Sequence, residues 1–160
     1  MDLKTEKLMN LETEELMDLK TEEPKNGKTD IFRFREFPVY KETRAFRLGL
    51  KALSKNKFPK AEQFCLTSQL WRALDSILLN IAEGTERYSD IDFSRFLNTA
   101  LTSLNEVVAC LDAALDDRYI TRDEHQLYID KAENIYRQLR AFSAKVRRDG
   151  GNVKTYERKN

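Results

Sequence analysis

The sequence predicts an all-α protein, an antiparallel up-down-up-down bundle of four helices. Apolar residues recur at alternating spacings of four and three in four separate stretches, and this spacing places them along one side of a helix. Helix start and stop signals flank these stretches, and the later ones are joined by connections of only a few residues, which favours antiparallel neighbours. A chain of 160 residues can bury such a core without disulfides or metals.

The first predicted helix, α1, begins near Pro38, a residue suited to the first helical turn, and runs to about Lys55. The second, α2, covers about Glu62 to Glu83 and stops at Gly84, which we interpret as a cap in the left-handed conformation. The core stripe of α1 is Val39, Thr43, Phe46, Leu50 and Leu53, and that of α2 is Leu70, Leu74, Ile77 and Ile81.

The third predicted helix, α3, begins at Ser89, and either Ser89 or Asp90 can cap its free backbone N–H groups. The fourth, α4, opens with a capping box formed by Thr121 and Glu124 and ends at a pair of glycines, 150–151. The stripe of α3 is Phe93, Leu97, Ala100, Leu104, Val107, Leu111 and Ala114, and that of α4 is Tyr128, Ala132, Ile135, Leu139, Phe142 and Val146.

The predicted α2 carries more apolar surface than one four-helix core requires. At about 100° per residue, Trp71, Leu78 and Ala82 lie roughly 80–120° from its core stripe, and Leu79 lies nearly opposite. We therefore predict that these four residues form an interface with further copies of the chain.

The segments outside the bundle at 34–150 differ from it in composition. Residues 1–33 are predicted to be a disordered acidic arm and 151–160 a flexible basic tail. The arm repeats an octad, MDLKTEKL, MNLETEEL and MDLKTEEP, whose period gives no consistent helical face. Residues 1–30 carry 5 Lys/Arg against 9 Asp/Glu, whereas the rest of the chain has a net charge of +5. This asymmetry points to a basic working surface, with the arm as a solvated segment or, alternatively, a docking peptide.

Basic residues follow the side of α1 opposite its core stripe, with no acidic residue among them, and more occur late in α4. Lysine and arginine side chains neutralise phosphates, and a tyrosine can stack on an unpaired base. The predicted nucleic-acid-binding residues are Tyr40, Lys41, Arg44, Arg47, Lys51, Lys55, Arg137 and Arg140.

Constellations for catalysis, metals and cofactors are missing from the sequence. The one histidine, His125, has Arg122 three residues before it, which does not fit a di-iron bundle, and Cys65 and Cys110 lack zinc-ligand spacing. The adjacent carboxylates Asp116 and Asp117 are explained by their place at a helix end, and no glycine loop for phosphate is present. We therefore expect no enzyme activity and no cofactor. No apolar run approaches a leader peptide or a membrane span, so we expect a cytoplasmic protein without a membrane partner.

Several short motifs resemble a known family. They are, in order, FPVYK at 37–41, FP at 58–59, LTSQL at 66–70, NIAEG at 80–84, RFL at 95–97 and SLNE at 103–106. Over roughly residues 34–148 the chain resembles the bacterial 23S rRNA intervening-sequence proteins. That resemblance implies a short bundle that assembles as a homopentamer and whose biochemical role is poorly defined. A related branch, the accessory proteins of diversity-generating retroelements, implies nucleic acid and reverse transcriptase as partners.

The family motif residues are interpreted as structural: Asn80, Glu83, Gly84, Arg95, Asn105 and Glu106. Within this set, Asn80, Glu83 and Asn105 are expected to form a polar bridge between the ends of α2 and α3. The chain departs from the family pattern at Trp71, where Arg is usual, and at Leu78-Leu79, where Pro-Ala is usual. Both departures add apolar surface for assembly.

Two functional readings follow from the sequence. The first is a non-enzymatic homo-oligomer that binds RNA, DNA or a nucleoprotein through its basic faces. The alternative is a purely structural or protein-binding scaffold, and a narrower one is a reverse-transcriptase accessory protein. Retention of nucleic acid that high salt removes would separate the first reading from the others.

Overall fold

The computed structural model of the chain describes residues 31–150, and all of its regular structure in this range is helical. The predicted acidic arm, except its last three residues, and the predicted tail lie outside the described residues. The four α-helices are α1 at Pro38–Lys57, α2 at Leu66–Gly84, α3 at Asp90–Asp116 and α4 at Arg122–Gly150. Short 3-10 helices at Arg33–Glu36 and Lys60–Phe64 precede α1 and α2. The all-α prediction is thereby confirmed.

The predicted stripes form the core. Every stripe residue of α2 is fully buried, as are Thr43 and Leu50 of α1, whereas Leu53, Phe93 and Phe142 are only partly buried at its margin. Burying a large aliphatic side chain is worth about 1.5–3 kcal/mol, so these contacts dominate the stability of the domain.

Contacts between side chains show that α1 and α4 run antiparallel. The rings of Phe37 and Phe142 meet edge to face with centroids 5.0 Å apart at one end, and Lys57 pairs with Glu124 at 3.1 Å at the other. Between them the carboxylate of Glu42, near the start of α1, accepts hydrogen bonds from Asn134 and Gln138 in the middle of α4.

The pair of α3 and α4 is likewise antiparallel. His125 Nε2 lies 2.8 Å from Asp112 Oδ1 near the connecting turn, and Arg147 Nε donates to Ser94 Oγ at 3.3 Å near the far end. Short connections leave consecutive helices no other direction, as the sequence predicted.

The start of α2 differs from the prediction. Residues Lys60–Phe64 form a 3-10 turn instead of α-helix, and Cys65, with φ −111° and ψ −106°, separates this turn from α2. Glu62 therefore lies before α2 and contacts its first residue, because Glu62 Oε2 accepts a hydrogen bond from the backbone N–H of Leu66 at 3.1 Å. Its Oε1 accepts from the hydroxyl of Tyr119 at 3.0 Å. This hydrogen bond, with a smaller effect of burial, raises the pKa of Tyr119.

The predicted starts of α3 and α4 are confirmed. Ser89 Oγ accepts from the backbone N–H of Asp92 at 3.1 Å, so Ser89 and not Asp90 is the cap. In the capping box, Thr121 Oγ1 accepts from the N–H of Glu124 at 3.1 Å, and Glu124 Oε2 accepts from the N–H of Thr121 at 2.9 Å. Each bond satisfies a donor that the helix itself leaves unpaired.

Gly84 is needed for a reason other than the predicted one. It is the last residue of α2 in right-handed helix, and Thr85 after it is also right-handed, with φ −68° and ψ −21°. A Cβ at position 84 would lie 2.5 Å from Cδ2 of Phe93 and 3.0 Å from Cβ of Phe96. The glycine thus permits α3 to approach the end of α2 closely, and the left-handed cap was a wrong interpretation.

Candidate nucleic-acid interface

The basic stripe of α1 is in part neutralised by an acid from α2. Arg47 Nε donates to Asp75 Oδ1, and Lys51 Nζ lies 3.3 Å from each oxygen of the same carboxylate. Asp75 stands one turn after Trp71 on α2, so both residues lie on the side of that helix next to α1. The sequence shows no acid within the α1 stripe, but this one comes from the neighbouring helix.

Asp75 is held in its ionised form. Partial burial acts to raise the pKa of its carboxyl, but the hydrogen bonds and charges of Arg47 and Lys51 together outweigh burial, so the pKa lies below the ordinary value of 3.8. The side chain of Asp75 is 41 % exposed, and that of Lys51 only 17 %. The carboxylate shared by the two pairs is therefore in contact with water. Ion pairs of this kind contribute no more than about 1 kcal/mol each to stability.

Trp71 lies beneath two lysines of α1. The ammonium groups of Lys51 and Lys55 are 4.8 Å and 5.5 Å from the centroid of its indole ring, within the range of cation–π attraction. Its Nε1 donates to Ser54 Oγ at 2.9 Å. Trp71 is thus half-buried against α1 of its own chain, and Lys51 contacts both Trp71 and Asp75.

Three cations in this region have no acidic partner within the described residues. Arg44 and Lys55 on α1 and Arg72 on α2 are exposed to solvent. We call the group the α1–α2 basic patch, and it consists of Arg44, Arg47, Lys51, Lys55 and Arg72 together with Asp75. Five cations against one carboxylate leave a net charge of +4. Along α1 the patch extends about 16 Å, the rise of eleven residues at about 1.5 Å each.

Two of the predicted binding residues lie at the beginning of α1 and already have partners. Lys41 Nζ pairs with Glu36 at 2.8 Å, although both side chains are more than half exposed. The ring of Tyr40 meets that of Phe34 edge to face with centroids 5.0 Å apart. Half-burial and this contact leave the Tyr40 ring less accessible for a base than the sequence suggests.

The basic residues of α4 do not join the α1–α2 basic patch. Arg147 contacts α3, and Arg140, one heptad earlier, shares its side of the helix. Arg137 lies 3.7 Å from Glu133 on the outer face. Toward α1, by contrast, α4 presents Asn134 and Gln138 to Glu42. The predicted nucleic-acid-binding residues of α4 are therefore separate from those of the α1–α2 basic patch.

The predicted interface residues differ in exposure. Leu79 is 65 % exposed, whereas Leu78 and Ala82 are half-buried in the described chain. Trp71, as described above, already has contacts with α1. Leu79 is therefore the most exposed of the four predicted interface residues.

The predicted polar bridge of Asn80, Glu83 and Asn105 is not formed. Asn80 Nδ2 donates to Ser76 O at 2.8 Å within its own helix, and Glu83 pairs with Arg87 on the surface. The side chain of Asn105 is exposed.

A serine pair links α2 and α3 instead. Ser76 Oγ and Ser103 Oγ are 2.8 Å apart, and Asn80 reaches the same Ser76 hydroxyl at 3.1 Å. The other two motif residues are on the outside of α3: Arg95 pairs with Asp92 at 2.9 Å, and Glu106 is exposed.

Among residues 31–150, no three His, Cys, Asp or Glu side chains come together in a group that could hold a metal ion. Cys65 is exposed, and burial, with a contribution from Glu106, raises the pKa of Cys110. A cavity of about 590 Å³ at the α3–α4 turn contains neither cysteine nor serine in its lining; it is lined by Leu115, Asp116, Arg118, Ile120, Arg122, His125 and Gln126.

No helix between residues 31 and 150 has both the length and the apolar character needed to cross a membrane.

These features define a class: an all-α protein whose described residues form four α-helices. Residues 35–141 match the model of the family described as 23S rRNA-intervening sequence protein. The chain belongs to this family, as its motifs indicated.

A solved structure agrees with this assignment. It is a protein of unknown function from the S23 ribosomal protein family of Bacteroides thetaiotaomicron, to which the chain is 26 % identical, with a TM-score of 0.61. The match covers 66 % of this chain and 95 % of that one. A comparison of the sequence with curated proteins gives no match.

Proposed function

We propose that the protein acts without catalysis, as an up-down-up-down bundle that assembles with copies of itself and binds nucleic acid through the α1–α2 basic patch. The observation that supports binding is the concentration of five cations against one carboxylate, three of them exposed and without an acidic partner in the described chain. Positive charge of this density attracts phosphate backbones independently of base sequence.

The ligand class that fits is an RNA or DNA backbone. The patch of about 16 Å matches the axial span of about five phosphates of one strand, which rise about 3.4 Å each. Flexible lysine and arginine side chains position a backbone without reading base edges, so sequence preference should be weak. Several patches on one oligomer would strengthen binding by avidity.

Self-association is supported by the exposed Leu79 beside the half-buried Leu78 and Ala82. Covering a leucine of this kind is worth about 1.5–3 kcal/mol. A pentamer is the expected state by resemblance to the family. The protein-binding scaffold stays an alternative, because Asp75 and Glu36 already neutralise part of the basic stripe; a reverse transcriptase is one such partner.

The test is a pair of charge-reversal variants that change the net charge equally. Arg44→Glu with Lys55→Glu removes two unpaired cations of the patch. Arg87→Glu with Arg95→Glu removes two that are paired with Glu83 and Asp92 elsewhere. Binding of a labelled single-stranded oligonucleotide is followed by fluorescence anisotropy over a range of salt.

The parent and the second variant should bind, with log Kd rising by about 0.7–0.9 per phosphate contact for each tenfold increase in salt. The first variant should not bind while keeping its oligomeric state. If the parent does not bind at low salt, or the two variants bind alike, the nucleic-acid proposal is wrong and the scaffold alternative is favoured.

A further inference from the structure

The carboxylate of Asp75 lies against two cations of the α1–α2 basic patch. It accepts from Arg47 and lies 3.3 Å from Lys51, two of the five cations available to a ligand. An oxygen anion in this place makes the same charge-assisted hydrogen bonds as a phosphate oxygen. A ligand must therefore either use only the other three cations or take these two away from Asp75.

Exchange is feasible because the carboxylate is accessible. The side chains of Asp75, Arg47 and Lys51 are 41 %, 30 % and 17 % exposed, and ion pairs whose carboxylate is in contact with water are weak. A polyanion that brings several phosphates at once can outcompete one carboxylate for the two cations.

We propose that Asp75 is an intramolecular competitor of phosphate, which holds Arg47 and Lys51 in the free protein and releases them when a nucleic-acid backbone binds. The proposal rests on the proposed function and adds a regulatory residue that the sequence did not single out. Asp75 thus limits affinity, so that complexes form and dissociate readily and depend strongly on salt.

The cluster contains a reporter of phosphate contact at Lys51 or Lys55, because both ammonium groups lie over the indole ring of Trp71. Lys51 is shared between Asp75 and the ring of Trp71, and Trp71 is the single tryptophan of the chain. When Lys51 moves to a phosphate, its ammonium leaves the indole face. The emission of Trp71, which responds to a nearby charge, should then change.

The experiment compares the parent with Asp75→Asn, Asp75→Glu and Glu106→Gln. Asp75→Asn removes the competing charge, and Asp75→Glu keeps it. Glu106→Gln makes the same change in net charge on α3, at an exposed residue without a cationic partner in the described chain. The probes are a short single-stranded oligothymidylate and inorganic polyphosphate, which carries the same anionic groups without bases. Circular dichroism confirms that each variant is folded.

Asp75→Asn should bind both probes about three- to tenfold more tightly at low salt, the effect of releasing two ion pairs at a partly exposed carboxylate. Its dependence of log Kd on log salt should match that of the parent, because the same cations contact phosphates in both complexes once Asp75 has released them. Asp75→Glu and Glu106→Gln should resemble the parent. In the parent, either probe should change the emission of Trp71 in parallel with binding.

The outcomes separate the two proposals. If the parent binds but Asp75→Asn binds equally well or more weakly, Asp75 is a structural residue and the competition is refuted, while the proposed function stands. An equal gain in Glu106→Gln would likewise refute it, since net charge alone would explain the effect. If no variant binds either probe at low salt, both proposals are wrong.

Discussion

Gly84→Ala should destabilise the protein, although alanine is the better helix former. Within a helix, alanine in place of glycine is worth about 0.5–1 kcal/mol in favour of folding. At this position the new methyl group would lie 2.5 Å from Cδ2 of Phe93, 2.9 Å from its Cε2 and 3.0 Å from Cβ of Phe96. Contacts this short cannot persist, so the neighbours must move.

The neighbours have little freedom to do so. The Phe93 ring packs edge to face on Phe142 with centroids 5.3 Å apart, and Phe142 packs on Phe37 in the same way. Cβ of Phe96 is fixed by the backbone of α3. Overpacking of this kind costs about 1–3 kcal/mol. After the gain in helix propensity, we expect a net loss of about 0.5–2 kcal/mol in the free energy of unfolding.

The assay is urea unfolding followed by circular dichroism at one fixed protein concentration, because association shifts apparent stability. Phe93→Leu and the double variant complete a double-mutant cycle. Since the smaller leucine makes room for the methyl group, the two substitutions should couple favourably by at least about 0.5 kcal/mol. A Gly84→Ala variant as stable as the parent, or a cycle without coupling, would refute the close-approach explanation.

Three further predictions follow from other parts of the molecule. Leu79→Asp should dissociate the proposed oligomer, as measured by light scattering, whereas Ile91→Asp, at a residue exposed to a similar degree, should not; a parent that is monomeric at micromolar concentration contradicts the interface. Deletion of residues 1–29 should leave Tm within a few degrees, because all predicted core residues lie between Val39 and Val146; a drop on the order of 10 °C would mean that the arm packs on the bundle. Asp75→Asn should lower the free energy of unfolding by at most about 2 kcal/mol at neutral pH, since it removes two ion pairs of no more than about 1 kcal/mol each. Because the folded-state pKa of Asp75 is depressed, this difference should vanish as pH falls through that pKa, below 3.8, and a difference that persists in acid would exclude the ion pairs as its source.

Local signals were sufficient to predict the helices from the sequence. Leu70, Leu74, Ile77 and Ile81 follow one another at about one helical turn. The sequence alone therefore shows which side of α2 is buried, without knowledge of the helices that pack against it. The Ser89 cap and the Thr121–Glu124 capping box join residues only three positions apart, and both are present as predicted. Residues that are close along a helix interact in the same way whatever surrounds them.

The candidate site could be predicted only in part, because some of its contacts join residues that lie far apart along the chain. The basic stripe of α1 is a periodic feature of one helix, and the sequence identified it. The sequence did not identify the counter-ion of this stripe, because Asp75 lies 28 residues from Arg47 and 24 from Lys51. Likewise, the sequence identified Trp71 as off the core stripe but not that it faces Lys51, Lys55 and Ser54 across the α1–α2 contact.

Such partners depend on how far each helix is rotated about its axis and shifted along it relative to its neighbour. Packing of the whole core sets both quantities, and no short stretch of sequence records them. The same holds for Gly84, where the sequence correctly marks the end of α2, but the approach of Phe93 from α3 supplies the reason for a glycine. The sequence by itself determined the four helices, their buried sides and the caps of α3 and α4. Tertiary packing decided which charges of the basic stripe are neutralised and which are left for a ligand.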